Sequence, residues 1–142
     1  MKPFAANRRM HIHTRTRPRP LKRHRTTRAG HRYDPSAKEK RAWLKEVTLP
    51  AVPLKGALAV ACTFTFSRPK AHFRTGKYAG ELKQTAPALM VTTPDVDNVA
   101  KFYLDALNGK AFLDDRQIVR MEANKRYGEE DSVTIRLMEI EE

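Results

Sequence analysis

Asp95 and Asp97 stand one residue apart at the mouth of a helical stretch, PDVDNVAKFYLDALNG, Pro94 to Gly109. Lys101 follows Asp97 by one turn, and Asp114 and Asp115 come together just after the stretch ends. Each has an ordinary explanation taken singly. An acid near a helix start favours the dipole, and an aspartate there can cap it. Asp97 and Lys101 make an i,i+4 pair worth only about 0.2–0.5 kcal/mol. Asp114 and Asp115 suit a turn before a strand. Taken together they describe a compact acidic pocket with one cation. Carboxylates held close repel, and a hard divalent ion, Mg²⁺ or Mn²⁺, offsets that repulsion while keeping several waters. Phosphodiester hydrolysis uses this set: metal ions activate water and neutralise charge, and a lysine steadies the developing anion.

The charge distribution points the same way. Residues 1–33 carry eleven of the 28 Lys and Arg and none of the 16 acids, so the rest is nearly balanced, with 17 basic groups against 16 acidic ones. A cationic arm ahead of a near-neutral body most often meets nucleic acid. Within it, Arg17, Arg19, Lys22, Arg23 and Arg25 are the candidates for gripping phosphates. The arm has no amphipathic apolar face, which disfavours a membrane surface. A solvated or organelle-directing tail is the other reading, weakened by the interleaved Pro18 and Pro20. No apolar run reaches the length of a membrane span, no secretory segment is read near the start, and a lone Cys62 suits an intracellular, reducing setting.

Several elements must position these groups. Residues 1–13 read as a poorly ordered extension, although His11–Arg15 has the pattern of a short strand. Residues 14–142 then form one domain whose first part, to residue 33, is an extended basic arm. Tyr33–Val47 reads as a helix with Asp34 as cap and Pro35 at its first position. Leu58–Phe66 alternates Leu58, Val60, Cys62, Phe64 and Phe66 with small uncharged residues, the pattern of a central strand. A long basic loop, residues 67–87, follows, and Ala88–Thr92 reads as a short strand entering the motif. On the second helix Val96, Val99, Ala100, Tyr103, Ala106 and Leu107 form the core stripe, and Gly109 is placed to end it. Gln117–Arg126 and Ser132–Glu141 read as a hairpin turning through Tyr127–Asp131. The order implies an α+β fold, a small mixed sheet packed with two main helices.

PDVDNVAKFYLDALNGKAFLDDRQI closely resembles the signature of the RusA-type endodeoxyribonucleases: Asp-x-Asp-Asn, a lysine, Asp-Ala-Leu, then Asp-Asp and a strand. Here these are Asp95, Asp97, Asn98, Lys101, Asp105-Ala106-Leu107 and Asp114-Asp115. RTRPRP and HRYDP resemble that family's upstream Arg-Pro-Arg and Tyr-x-Pro elements. The resemblance runs from about Thr14 to the end and is dense over Pro94–Ile118. It implies a homodimeric hydrolase that resolves Holliday junctions, four-way branched DNA, in recombination and repair. It also implies Mg²⁺ as cofactor, with Mn²⁺ able to substitute. By position, Asp95, Asp97 and Asp115 match the family's metal-site acids, with Asp114 as the alternative ligand, and Lys101 matches its essential lysine.

Two other classes compete. A non-catalytic nucleic-acid-binding protein with a decayed site explains the arm, but decay usually strikes a ligand first. A structural protein of a nucleoprotein particle leaves the aspartates unexplained. His11, His13, His24 and His31 lack the partners a zinc site needs. Trp43 and Cys62 read as core. His72 and Phe73 read as anchors of their own loop more than as DNA contacts, and Asp105 as either a solvated acid or a hydrogen-bond partner of Lys101 or of a ligand.

Overall fold

The computed structural model describes residues 7–141. Met1–Ala6, expected to be disordered, lie outside the described residues. A four-stranded mixed sheet carries the fold, in the order β1 (Arg9–Thr14), β6 (Ser132–Glu139), β4 (Leu58–Ser67), β5 (Ile118–Gly128). β1 and β4 run antiparallel to β6, while β4 and β5 are parallel. Two helices, α1 (Ala37–Leu44) and α2 (Val96–Leu107), complete the α+β architecture. Among the described residues no helix is long and apolar enough to cross a membrane.

β4 is central, as its two uncharged faces imply. Leu58, Val60, Cys62, Phe64 and Phe66 are all buried, joined by Val133, Ile135 and Leu137 of β6 and Ile12 of β1. Against them α2 sets Val99, Ala100, Tyr103, Ala106 and Leu107 of the expected stripe, plus Phe102, while Val96 is half-buried at its edge. Tyr103 stacks on Phe64 at 5.5 Å and meets Trp43 edge-on at 4.8 Å, joining sheet and both helices. Trp43 is core, and its indole N–H donates to Thr14 Oγ1 at 2.9 Å. Burial raises the Cys62 thiol pKa to about 12, so this cysteine is a packing residue. Gly109 ends α2 with φ +78°, a left-handed value that a side chain would strain.

Five expectations change. The boundary expected at residue 14 falls inside the fold, because Arg9–Thr14 pairs along β6 as an edge strand. The basic arm is not extended throughout: β2 (Arg25–Thr26) and β3 (Arg32–Tyr33) form a small hairpin. α1 starts at Ala37, not beside Asp34, since Asp34 instead accepts from the Ser36 amide at 2.8 Å and fixes the preceding turn. Ala88–Thr92 forms no strand. Finally, β5 and β6 are not a hairpin. They flank β4, and the link between them crosses its end. There the Ser67 amide donates to Asp131 Oδ1 at 2.7 Å, and Gly128 lies so close to Thr65 that a Cβ would come within 2.4 Å of its methyl. A strand apolar on one face and small on the other is better covered between two neighbours than at an edge, and this outweighs the local turn signal.

Candidate nuclease site

Asp95 at the mouth of α2 and Asp97 in its first turn both lie exposed at the surface. Asp95 is the N-cap residue by backbone position, with φ −69° and ψ 139°, yet its side chain makes no capping bond. Its carboxylate is therefore not used by the cap. The Lys125 ammonium, from β5, fixes the approach by donating to the carbonyls of Thr92 and Pro94. Asn98, the last residue of the Asp-x-Asp-Asn motif, faces the basic arm. The Leu21 amide donates to the Asn98 carbonyl at 3.1 Å, and the Asn98 side-chain amide donates back to the Leu21 carbonyl at 3.0 Å.

The arm is thus a strap laid across α2. Besides Asn98, it is held where the Arg19 amide donates to the Tyr103 hydroxyl at 3.0 Å and the Lys22 amide to Ser36 Oγ at 2.9 Å. Burial raises the Tyr103 hydroxyl pKa to about 12, with the Arg19 contact opposing it, so it stays a neutral acceptor. Of the five expected phosphate-gripping residues, Arg17 pairs with Asp131 at 3.2 Å and Lys22 with Glu39 at 3.0 Å. Arg19, Arg23 and Arg25 are exposed along the strap.

Asp114 and Asp115 do different things. Asp114 caps the single 3₁₀ turn Asp115–Gln117, accepting from the Arg116 amide at 2.9 Å while Gln117 reaches back to the Asp114 amide. The Arg116 hydrogen bond holds the Asp114 carboxyl below its ordinary range. Asp115 is exposed, and its pKa is raised, first by partial burial and then by the neighbouring Asp114 and Asp105 charges. Asp105 is tied to Lys40 at 3.5 Å, and Lys40 also donates to Asp34 at 2.6 Å, so one buried-stem lysine bridges the two helices. Burial works against the Asp34 charge, but bonds from Lys40 and the Ser36 amide outweigh it and keep that carboxyl ionised to lower pH.

The acids therefore fall into two groups. Asp95, Asp97 and Lys101 line the N-terminal part of α2, where Lys125 near the end of β5 meets Pro94. Asp115 precedes β5 and feels Asp105, toward the other end of α2. Asp97 and Asp105 are eight residues apart, about 12 Å along the axis. Among the described residues no three His, Cys, Asp or Glu side chains converge on one metal position. The compact pocket expected from the sequence is not formed within one chain. Asp95 and Asp97 alone still fit a hard cation: two exposed carboxylates are what Mg²⁺ uses when substrate and water supply the remaining oxygens. Sequence reading missed the tethers Lys40 and Lys125, which carry no motif. The tether at Asn98 has a visible signal, an amide directly after an acidic pair.

The family model described as Endodeoxyribonuclease RusA matches residues 14–138, most of the chain. The chain belongs to the RusA endodeoxyribonuclease family. Its start at residue 14 leaves most of β1 outside the matched span, although β1 is part of the sheet. One curated relative, "Uncharacterized protein YqaN" of Bacillus subtilis (strain 168), is 43% identical over 49 residues, 34% of this chain and 34% of that protein. The chain thus matches about a third of that relative's length. The RusA family is one of DNA-junction nucleases, and the mixed sheet with two helices is the α+β domain expected for it.

Proposed function

We propose that this protein is a Mg²⁺-dependent endodeoxyribonuclease that resolves four-way DNA junctions inside the cell during recombination and repair. The observation carrying this reading is the Asp95–Asp97 pair, exposed, released from capping, and set beside a basic strap that Asn98 pins to the same helix. When bound, the metal supplies a polarised water and charge neutralisation at the scissile phosphate. Asp95 and Asp97 hold that metal, with Mn²⁺ able to replace it. Lys101, one turn beyond Asp97 on the same face, presents its ammonium to the developing oxyanion. Arg19, Arg23 and Arg25 bind phosphates, Arg17 through the nitrogens its Asp131 contact leaves free, and Lys22 by exchanging its carboxylate partner for DNA.

Asp115 joins this set through a homodimer. β5 is an edge strand with Val119 and Met121 exposed, and Lys125 near its far end lies beside the Asp95 segment. A two-fold pairing of β5 with the β5 of a second copy is antiparallel. It carries the Asp115 end of one strand toward the Asp95 end of the other, which one chain alone does not do. Two sites related by two-fold symmetry also suit paired nicks in a two-fold DNA junction. The test is cleavage of a synthetic four-way junction against a linear duplex of the same arm sequence, with Mg²⁺ and with chelator. Metal-dependent cutting of the junction alone supports the reading. Binding with no cutting under any metal supports the decayed, non-catalytic alternative. Mixing inactive Asp97→Asn and Asp115→Asn proteins should restore part of the activity, because mixed dimers regain one intact site. No recovery on mixing counts against the shared site.

A further inference from the structure

A groove of about 420 Å³ lies between the end of β4, the turn after it and the Met90–Thr93 segment, lined by Arg17, Arg68, Lys70, His72, Thr93 and Tyr127 among others. Two guanidiniums reach it from distant parts of the chain, and each is fixed by a ring and a hydrogen bond. Arg17 lies 5.3 Å over Phe66, with Nη1 on Asp131 at 3.2 Å. Arg68 lies 4.6 Å over Tyr127, with Nη1 donating to the Pro87 carbonyl at 2.7 Å. His72 packs edge-on against the same tyrosine at 5.1 Å. Each arginine is thus pre-set through one nitrogen. Such forks lose little freedom on meeting an anion, and their geometry matches phosphate. No carboxylate lines the groove, and Lys70 adds an exposed cation.

The occupant follows from this chemistry. A nucleobase would need an open aromatic face, but Phe66 is buried beneath Arg17, and the Tyr127 ring is covered by Arg68 and His72. What the groove offers is N–H donors and positive charge. Thr93 on its wall is two residues from Asp95, a reach of at most about 7 Å along the chain. We propose that the groove seats one phosphodiester of the bound DNA strand, adjoining the linkage held at Asp95 and Asp97. The seat rests on the nuclease reading above and adds what that reading lacks, a cationic hold beside acids that by themselves repel the backbone.

The test uses the full chain and a synthetic four-way junction, with binding measured across salt concentration in the presence of chelator. Each neutralised phosphate contributes a slope of about −0.9 in log K against log salt. Arg68→Ala should flatten the slope by about 0.9, and adding Lys70→Ala should flatten it no further, because both serve one phosphate. An unchanged slope in Arg68→Ala overturns the seat. So does a double variant losing about 1.8, which would make the two residues independent surface contacts. A second readout compares the two proteins linkage by linkage. Single neutral methylphosphonate linkages are placed around the cut, and one position should weaken wild-type binding about tenfold while leaving Arg68→Ala unaffected. If every position affects both proteins alike, the seat is wrong. Binding is read without cleavage, so a protein that shows these slopes yet never cuts refutes the nuclease reading and leaves the seat supported.

Discussion

Replacing Asn98 with alanine separates positioning from chemistry at the motif. The change removes the donation from the Asn98 side chain to the Leu21 carbonyl, a part-buried bond of 3.0 Å, and leaves the backbone bond of 3.1 Å between the same residues. Losing one such bond costs about 1 kcal/mol, somewhat more if water cannot reach the freed carbonyl. For a chain of this size that is a fall in Tm of about 4 °C. The strap remains tied at Tyr103 and Ser36, so it should loosen without detaching. A loosening of about 1 kcal/mol weakens junction binding by about fivefold. The rate from saturated complex should stay within about twofold, because Asn98 holds the strap and not the reacting phosphate. Asn98→Asp should bind worse than Asn98→Ala, since a carboxylate cannot donate to a carbonyl and adds repulsion beside Asp97. Thermal melts, binding titrations and single-turnover cleavage report the three quantities. Unchanged melting and affinity with a hundredfold slower saturated rate would refute the positioning role and put Asn98 on the substrate.

Lys101→Ala should slow single-turnover cleavage by about 10²–10³ with junction binding nearly intact; a parental rate would make this lysine a surface charge. The Asp115 carboxyl has its pKa raised above the ordinary 3.8, so the folded state holds its proton longer than the unfolded chain does. Its contribution to stability is present at lower pH and is lost as pH rises through the folded value. Asp115→Asn should therefore gain on the parent, in melts without metal, as pH rises from about 4 to 7, and a variant that loses stability over that window contradicts the repulsion. Lys125→Met should release the Thr92–Pro94 segment and lower cleavage more than binding; equal losses in both would place Lys125 on DNA instead.

The sequence made some of this legible for identifiable reasons. The alternation in Leu58–Phe66 and the 3.6-residue stripe of α2 are strong periodic signals, and both became the core. The spacing of Asp95, Asp97 and Lys101 on one helix start was readable because local geometry fixes it. What escaped was set by contacts distant in sequence. The β5–β6 turn looks like a hairpin in the sequence, whereas β4 pairs with both strands and lies between them, with Gly128 close against Thr65. The strand pattern at His11–Arg15 was legible, but its start at Arg9 and its place in the fold depend on the open edge that β6 offers. The basic arm reads as free charge in the sequence, whereas Arg19, Leu21 and Lys22 hold it by backbone groups that no side-chain pattern encodes. Neighbours in a motif need not be neighbours in space within one chain. The turn Asp114 caps sets Asp115 near Asp105 instead.

The central claim is that Asp95 and Asp97 make a metal-dependent phosphodiesterase site for branched DNA. Its most direct test is a strand-cleavage measurement on a labelled four-way junction, comparing the parent with Asp97→Asn, each with Mg²⁺ and with chelator. The account predicts matched nicks in opposing strands by the parent with Mg²⁺, none with chelator, and none by Asp97→Asn although it still binds the junction. Cleavage by the parent in chelator, or by Asp97→Asn at the parental rate, would contradict it.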